Sequence, residues 1–484
     1  MEPLPLHLDV NSDDPRPLYL QIAAALRAEI LSGRLRPGTV LPGTRSLAGR
    51  LKVSRFSVVS AFDELVAEGW LKPAVGAGTA VADPLPEPRT PISPTPPTPE
   101  GPSHGFDLPS RFHPHVADRP QPEALDLRDN LPDPRLLPEA EFARAYRGIL
   151  RSQRPEALQY GSPKGHEGLR QVLADMLLHR RGLQVDADQV LLTRGTQNGL
   201  DLLGRALLKP GDWVAVENPG NRRAWDVFRL LGAEPVPVPV DELGLRTDAL
   251  ADLLARNRIR MIYVTPNCQN PTGASLAPAR RQALLDLAAR HRVAVIEDDF
   301  AFELHYTDEP VLPLASQDRS GVVVYLGSFT RVLAPALRLG FLTGPHGLVD
   351  RLASLRLASD WQGDRVLEGA LREIILDGTF LRHVRKTRAI YRGRRDRFLD
   401  LLAAELPRQI RCTPPAAGLS LWATLLHPLR DLAARCSQQG LRVHSGSHFS
   451  ISMDPLPCLQ LGFAALEDEE QHLAIGRLAL AMQP

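Results

Sequence analysis

Apolar residues follow two different patterns along this chain, and the change comes at a run of proline. Before it, Leu18, Ile22, Leu26 and Ile30 recur every four residues, which predicts an amphipathic helix closed by Gly33. Thr44 is placed to cap a short helix bearing Leu47 and Leu51. After a tight turn at Lys52 and Val53, Ser54 can cap a further helix whose Val58, Phe62 and Leu65 face inward. That spacing leaves Arg55, Phe56 and Ser57 exposed at the helix start. Trp70 to Lys72 and Gly78 to Val81 then read as a hairpin joined through Ala74 to Ala77. Together these elements predict a helix-turn-helix followed by a wing, over residues 11–83.

From Pro84 to Pro102 nearly every second residue is proline, which excludes helix or central strand and favours a semi-rigid polyproline II spacer. We set the linker at 84–122. Beyond it, over 123–484, short apolar runs alternate with helical patterns. The runs are VLLT (190–193), WVAVE (213–217), MIYVT (261–265), VAVIED (293–298) and VVVYLG (322–327). They lack the period-two polarity of a half-exposed strand, so both faces should be covered. Helical patterns such as Thr196 to Leu208 and Pro278 to His291 lie between them. The alternation predicts an α/β fold with a large, mainly parallel sheet and helices on both faces.

Composition and charge add constraints. The net charge of +1 gives no bulk attraction to nucleic acid, so any such case must rest on local charge. Arg27, Arg34, Arg36, Arg45, Arg50, Lys52 and Arg55 stand against Glu29 alone. A solvated helix face commonly looks like this, and only the surrounding motif gives the run another meaning. Cys268, Cys412, Cys436 and Cys458 are far apart and make no zinc-type pair, as expected of thiols in a reducing compartment. No apolar run approaches a membrane span and the N-terminus lacks the pattern of a signal peptide. We therefore expect a cytoplasmic protein with no membrane partner and no metal.

The ordered stretch PLYLQI…LRAEILSGRLRPGTVLPGTRSLAGRLKVSRFSVVSAFDELVAEGWL…GAGTAV resembles the GntR family of winged-helix regulators. The resemblance implies binding of double-stranded operator DNA through Arg45, Ser54, Arg55 and Ser57, with Gly76 at the wing tip. Two positions depart from the family's usual pattern. Lys52 replaces a glycine in the turn, at about 1–2 kcal/mol if that residue is left-handed. Phe56 replaces an asparagine at the front of the recognition helix, which implies an altered operator, since base readout depends on individual side chains.

The large domain carries YGSPKGHEGLRQVLADML, LLTRGTQNGLDLL, WVAVENPGNRRAW, VTPNCQNPTG, VAVIEDDFAFEL and GSFTRVLAPALRLGF in that order. From about Asp126 onward it resembles the fold-type I aminotransferase domain, with a smaller C-terminal α/β subdomain, as found in the MocR subfamily behind a GntR-type winged helix. That family uses pyridoxal phosphate (PLP). The resemblance implies a phosphate cup of Gly195, Thr196, Gln197, Ser328 and Arg338, with Asp298 holding the ring nitrogen and Asn270 the ring hydroxyl. The reactive parts differ. Where the family reads GTFSKTLAPALRLG, with the lysine forming the Schiff base, this chain has Arg331, which is permanently protonated. Phe300 replaces a tyrosine, Asn221 an aromatic, and Gln460 the arginine that grips the substrate carboxylate.

Departures aimed at different chemical roles imply a DNA-binding regulator whose large domain has no catalytic residue. In this reading the cup and Arg331 would hold PLP, or a small anionic or phosphorylated effector, without a covalent bond. The alternative is an active PLP-dependent aminotransferase fused to a DNA-binding module, with Lys164 as a substitute amine. A third reading is a ligand-free dimerisation scaffold. A homodimer is expected, because fold-type I sites usually form between two subunits.

Overall fold

The computed structural model describes residues 8, 16–74, 78–86, 124–128, 130–152, 154–307, 311–427 and 429–483. The chain divides into two compact units, residues 1–108 and 109–484. The division falls within residues 84–122, most of which lie outside the described residues, as does Gly76.

In the first unit the four-residue spacing becomes α1 (Leu18–Leu31), which buries Ile22, Leu26 and Ile30. Helices α2 (Thr44–Leu51) and α3 (Arg55–Ala67) follow, then strands β1 (Leu71–Ala74) and β2 (Gly78–Val81), paired antiparallel. The segment before α2 adds to the far edge of β2, where Leu41 donates its N–H to the Thr79 carbonyl at 2.8 Å and Val81 donates to Thr39 at 2.9 Å. Leu26, Leu47, Val58, Phe62, Leu65, Trp70 and Val81 share one core. Ser54 caps α3, its Oγ accepting from the Ser57 N–H at 3.0 Å. Thr44, expected as the α2 cap, is instead its first residue. Gly43 holds the cap position with no side-chain bond, and Leu47 donates to the Gly43 carbonyl at 3.0 Å. Lys52 is left-handed, at φ 54° and ψ 39°.

In the second unit β4 (Val190–Thr193), β5 (Trp213–Asn218), β6 (Glu234–Asp241), β7 (Gly244–Leu245), β8 (Ile259–Val264), β9 (Ala294–Asp299), β10 (Val323–Ser328) and β11 (Gly340–Thr343) form one sheet. Their order is β4-β11-β10-β9-β8-β5-β6-β7. Strands β10, β9, β8, β5 and β6 are parallel, and β11 runs against both β10 and β4. Helices cover both faces, so the central strands are buried throughout.

The PVPVPV run, which is not among the predicted strands, is β6. In a parallel strand alternate residues bond to opposite sides. Prolines at 235, 237 and 239 therefore put every missing donor on the edge away from β5. Glu234 still donates to Asp212 at 2.9 Å on the β5 side.

A smaller sheet follows, ordered β12 (Ile410–Cys412), β13 (Ser420–Leu425), β16 (Cys458–Gly462) and β15 (His444–Ser445). A two-strand parallel pair ties β3 (Leu125–Asp126), just after the linker, to β14 (Leu441–Arg442) in the same subdomain. Among the described residues no helix is long and apolar enough to cross a membrane.

The left-handed Lys52 gives a stability test. Lys52→Gly should remove the Cβ strain and stabilise the first unit by about 1 kcal/mol. Calorimetry of the full chain should show the transition of that unit several degrees higher. An unmoved transition would mean that Lys52 carries no strain.

Candidate functional site

On the first unit, α2 and α3 bring Arg45, Ser54, Arg55 and Ser57 to one face, with Arg45, Ser54 and Arg55 exposed and Ser57 half-buried. The Arg55 Nε reaches the Thr44 Oγ1 at 3.5 Å, linking the starts of the two helices. The Ser54 and Ser57 hydroxyls lie 2.8 Å apart and satisfy each other, so Ser54 shapes the helix start as its cap. Arg34 and Arg27 of the basic run are drawn into ion pairs. Arg34 meets Glu29 through Nε at 2.7 Å and Nη2 at 2.6 Å, and Arg27 pairs with Glu68. The positive end of the motif is the start of α3, while Asp63 and Glu64 stand in its later turns.

On the second unit, a cavity opens at the carboxyl ends of the parallel strands, where the ligands of open α/β sheets gather. All eight residues expected at a cofactor site are brought there or border it. Thr196, Gln197, Asn270, Asp298, Ser328, Arg331 and Arg338 line it, and Gly195 precedes Thr196. Gly195 has φ +78°, which disfavours any side chain, and it starts the helix Thr196–Leu207 with no side-chain cap. The first amides of that helix thus face the cavity beside Ser328. Arg338, itself left-handed at φ 48°, lays its guanidinium beside Gly195 and donates to the Arg194 carbonyl at 2.8 Å.

Asp298 sits at the far end of β9, fully buried. Its Oδ2 accepts from the Tyr263 hydroxyl at 2.7 Å, and that hydroxyl accepts from the Asn221 Nδ2 at 3.0 Å. Among the described residues the Oδ1 of Asp298 has no hydrogen-bond partner. Burial pushes its carboxyl up to about 7, while the Tyr263 bond and the nearby Arg331 charge pull the other way. Glu217, at the end of β5, is also raised by burial to about 7. It accepts from the Thr265 N–H at 3.1 Å, the Thr265 hydroxyl at 2.6 Å and the Gln269 amide at 3.3 Å. These bonds fix the turn that presents Asn270. Gly220 fits there because a Cβ would lie 2.1 Å from the Glu217 carbonyl oxygen.

Sequence reasoning missed Tyr263, although a tyrosine in a buried apolar strand signals a partner for its hydroxyl. It also missed Arg128, Arg222, Arg223, His444 and His448, which line the opposite wall. Their positions are far apart in the chain and carry no local signal. His444 and His448 stack at 3.8 Å and 8°, and Arg128 pairs with Asp126 at 2.7 Å. Burial, then the charges of Arg128 and Arg223, push His444 down to about 4. Phe300, Asn221 and Gln460, singled out in the sequence beside Arg331, line the same cavity.

The cavity fits parts of PLP and not others. The uncapped helix start, Ser328 and Arg338 suit a phosphate, and the unpartnered Oδ1 of buried Asp298 suits a ring N–H. The covalent anchor does not fit. Lys164, Lys209 and Lys386 are the lysines of the second unit, and none lines the cavity. The Lys164 amine is held by Asp350 at 2.7 Å and by the Asp188 carbonyl at 3.2 Å.

Comparison with known proteins places both units. Residues 129–478 match the aminotransferase class I and II family, and residues 18–81 match the gntR family of bacterial regulatory proteins. The chain is 32% identical to the probable rhizopine catabolism regulatory protein MocR of Rhizobium meliloti, over 98% of this chain and 95% of that one. It is 31% identical to the HTH-type pyridoxine biosynthesis transcriptional regulator PdxR of Corynebacterium glutamicum, covering 92% and 91%. Among solved structures it resembles the α-aminoadipate aminotransferase LysN of Thermus thermophilus, complexed with N-(5'-phosphopyridoxyl)-L-leucine. The TM-score is 0.70 at 30% identity, over 75% of this chain and 92% of that one.

The depressed His444 gives a pH test. Its folded value of about 4 lies below the unfolded value near 6.5. The unfolded chain therefore binds the extra proton first, and this contribution is full above about pH 6.5 and lost as pH falls toward 4. His444→Gln should flatten the fall in melting temperature between pH 7 and pH 4.5. An identical slope in both proteins would show that His444 is not held neutral by the fold.

Proposed function

We propose a non-catalytic, ligand-holding role for the large unit of this chain, which belongs to the aminotransferase class I and II family. With its GntR domain in front, the chain is a DNA-binding transcription regulator of the MocR type. The observation that carries the proposal is Arg331, a guanidinium facing Asp298 at the position where the family pattern has its reactive lysine. A guanidinium stays protonated at any physiological pH and cannot act as the amine nucleophile.

The supporting geometry is the rest of the cavity. Thr196, Gln197, Ser328 and Arg338 would hold a phosphate, Asp298 a ring N–H and Asn270 a ring oxygen. When bound, PLP would supply a protonated pyridine ring and a dianionic phosphate. Arg222, Arg331 and Arg338 line the cavity along with Arg128 and Arg223, and a lining so rich in guanidinium supports a small anion as its ligand, PLP or a phosphorylated compound like it. Arg331 adds charge attraction where the family pattern has a covalent bond.

We further propose that the protein acts in the cytoplasm as a homodimer, with proline-rich linkers between the large units and the winged helices. Exposed Leu158, Tyr160 and Trp361 support an interface between copies. Tyr160 and Trp361 pack at 4.9 Å, and such exposed apolar groups favour burial.

On DNA, Arg45, Arg55, Ser57 and the wing at Gly76 would make the contacts. Arg55→Ala should weaken specific operator binding by about tenfold at fixed salt, measured on a site selected from random duplexes. Unchanged affinity would remove α3 from the interface.

For the cavity, full-length protein saturated with PLP, treated with borohydride and denatured, should release all its cofactor by mass spectrometry. Arg331→Lys should retain it covalently, and Arg338→Ala should weaken calorimetric PLP binding by tenfold or more. A trapped lysine adduct in the unaltered chain would establish the covalent chemistry of an aminotransferase instead.

A further inference from the structure

The most exposed large apolar side chain among the described residues is Phe56, at 79%. It lies in the first turn of α3, one residue after Arg55. The buried face of α3 is Val58, Ala61, Phe62 and Leu65. The opposite face, at spacings of three and four, is Phe56, Val59, Ser60 and Asp63. Phe56 therefore contributes nothing to the core of its own unit, and its ring stands in water.

Charge says which end of that face meets DNA. Arg45 and Arg55 flank the start of α3, whereas Asp63 and Glu64 lie in its later turns. A polyanion is attracted to the first turn and repelled from the last, so the helix enters a groove by its N-terminal end. Phe56 then lies at the closest approach to the base edges. A phenyl ring offers those edges no hydrogen bond. In the major groove the apolar group available to it is the C5-methyl of thymine.

We propose that Phe56 determines operator specificity by packing its ring on the C5-methyl of a thymine in each half-site. The proposal rests on α3 being the DNA-reading helix. In this arrangement Arg55 supplies the phosphate or base hydrogen bonds that set the register, and Phe56 distinguishes thymine from the other bases by shape and burial.

Uracil tests this directly, because it lacks only the methyl. The best site selected from random duplexes by the full-length protein would be resynthesised with each thymine singly replaced by deoxyuridine. One position per half-site should weaken binding by about tenfold, the scale of a single mismatched base pair. Phe56→Ala should weaken binding to the unmodified site by a similar factor and become indifferent to uracil there. Phe56→Leu should keep part of the methyl sensitivity. Because the side chain is exposed, both variants should melt as the unaltered protein does.

Uracil tolerated within twofold at every position would overturn the proposal. So would Phe56→Ala retaining full uracil sensitivity, or bent DNA with a ring inserted between base pairs and no uracil effect. Weakened binding in Arg55→Ala together with a missing uracil effect would overturn the methyl contact alone. Unchanged binding in both Arg55→Ala and Phe56→Ala would remove α3 from the groove and the proposal with it.

Discussion

A carboxylate sunk at the end of a buried strand must be given donors, and the large unit is organised around meeting that demand. Glu217 ends β5, and Glu297, Asp298 and Asp299 end β9, all of them buried. Each ties down a different segment. Glu217 holds the Thr265–Gln269 turn, and Glu297 accepts from the Leu314 and Ala315 amides at 2.7 and 2.8 Å. Asp299 takes the Tyr325 hydroxyl at 2.9 Å and pairs with Arg181. Removing one partner of the buried Asp299–Arg181 ion pair would typically cost about 3–5 kcal/mol.

Asp298 differs because of strand alternation. Glu297 and Asp299 point to one face of β9 and Asp298 to the other, toward the cavity. One of its oxygens is satisfied through Tyr263 and Asn221, and the other is left toward the cavity. This is a cost that a bound donor would offset. The Asn221 amide holds the Tyr263 hydroxyl in place at 3.0 Å.

The small unit shows the same economy of charge on a surface. Arg27 and Arg34 are neutralised by Glu68 and Glu29, which leaves the cationic emphasis at the start of α3. A run of basic residues that looks uniform along the chain thus becomes polar along one helix. The left-handed Lys52 sets the turn that brings α2 and α3 together, and Phe56 is carried outward by the same geometry that buries Val58 and Phe62.

Much of this was legible in the sequence. The apolar period placed α1, α2 and α3, and continuous apolar runs placed β4, β5, β8, β9 and β10, because strand and helix periods are local properties of the chain. Ordered motifs named Asp298, Ser328, Arg331 and Arg338. Local reasoning failed at Thr44, where the backbone starts the helix one residue early, and at β6, where proline conceals a strand that only its register with β5 explains. It also could not assemble the far wall of the cavity. Arg128, Arg222, Arg223, His444 and His448 come from three distant segments, and the pairing of β3 with β14 and of β15 with β16 positions the first and last of these segments. The sequence by itself determined which chemical groups were present. The tertiary structure decided which groups face one another and which are buried, and charge interactions depend on those distances and on that burial.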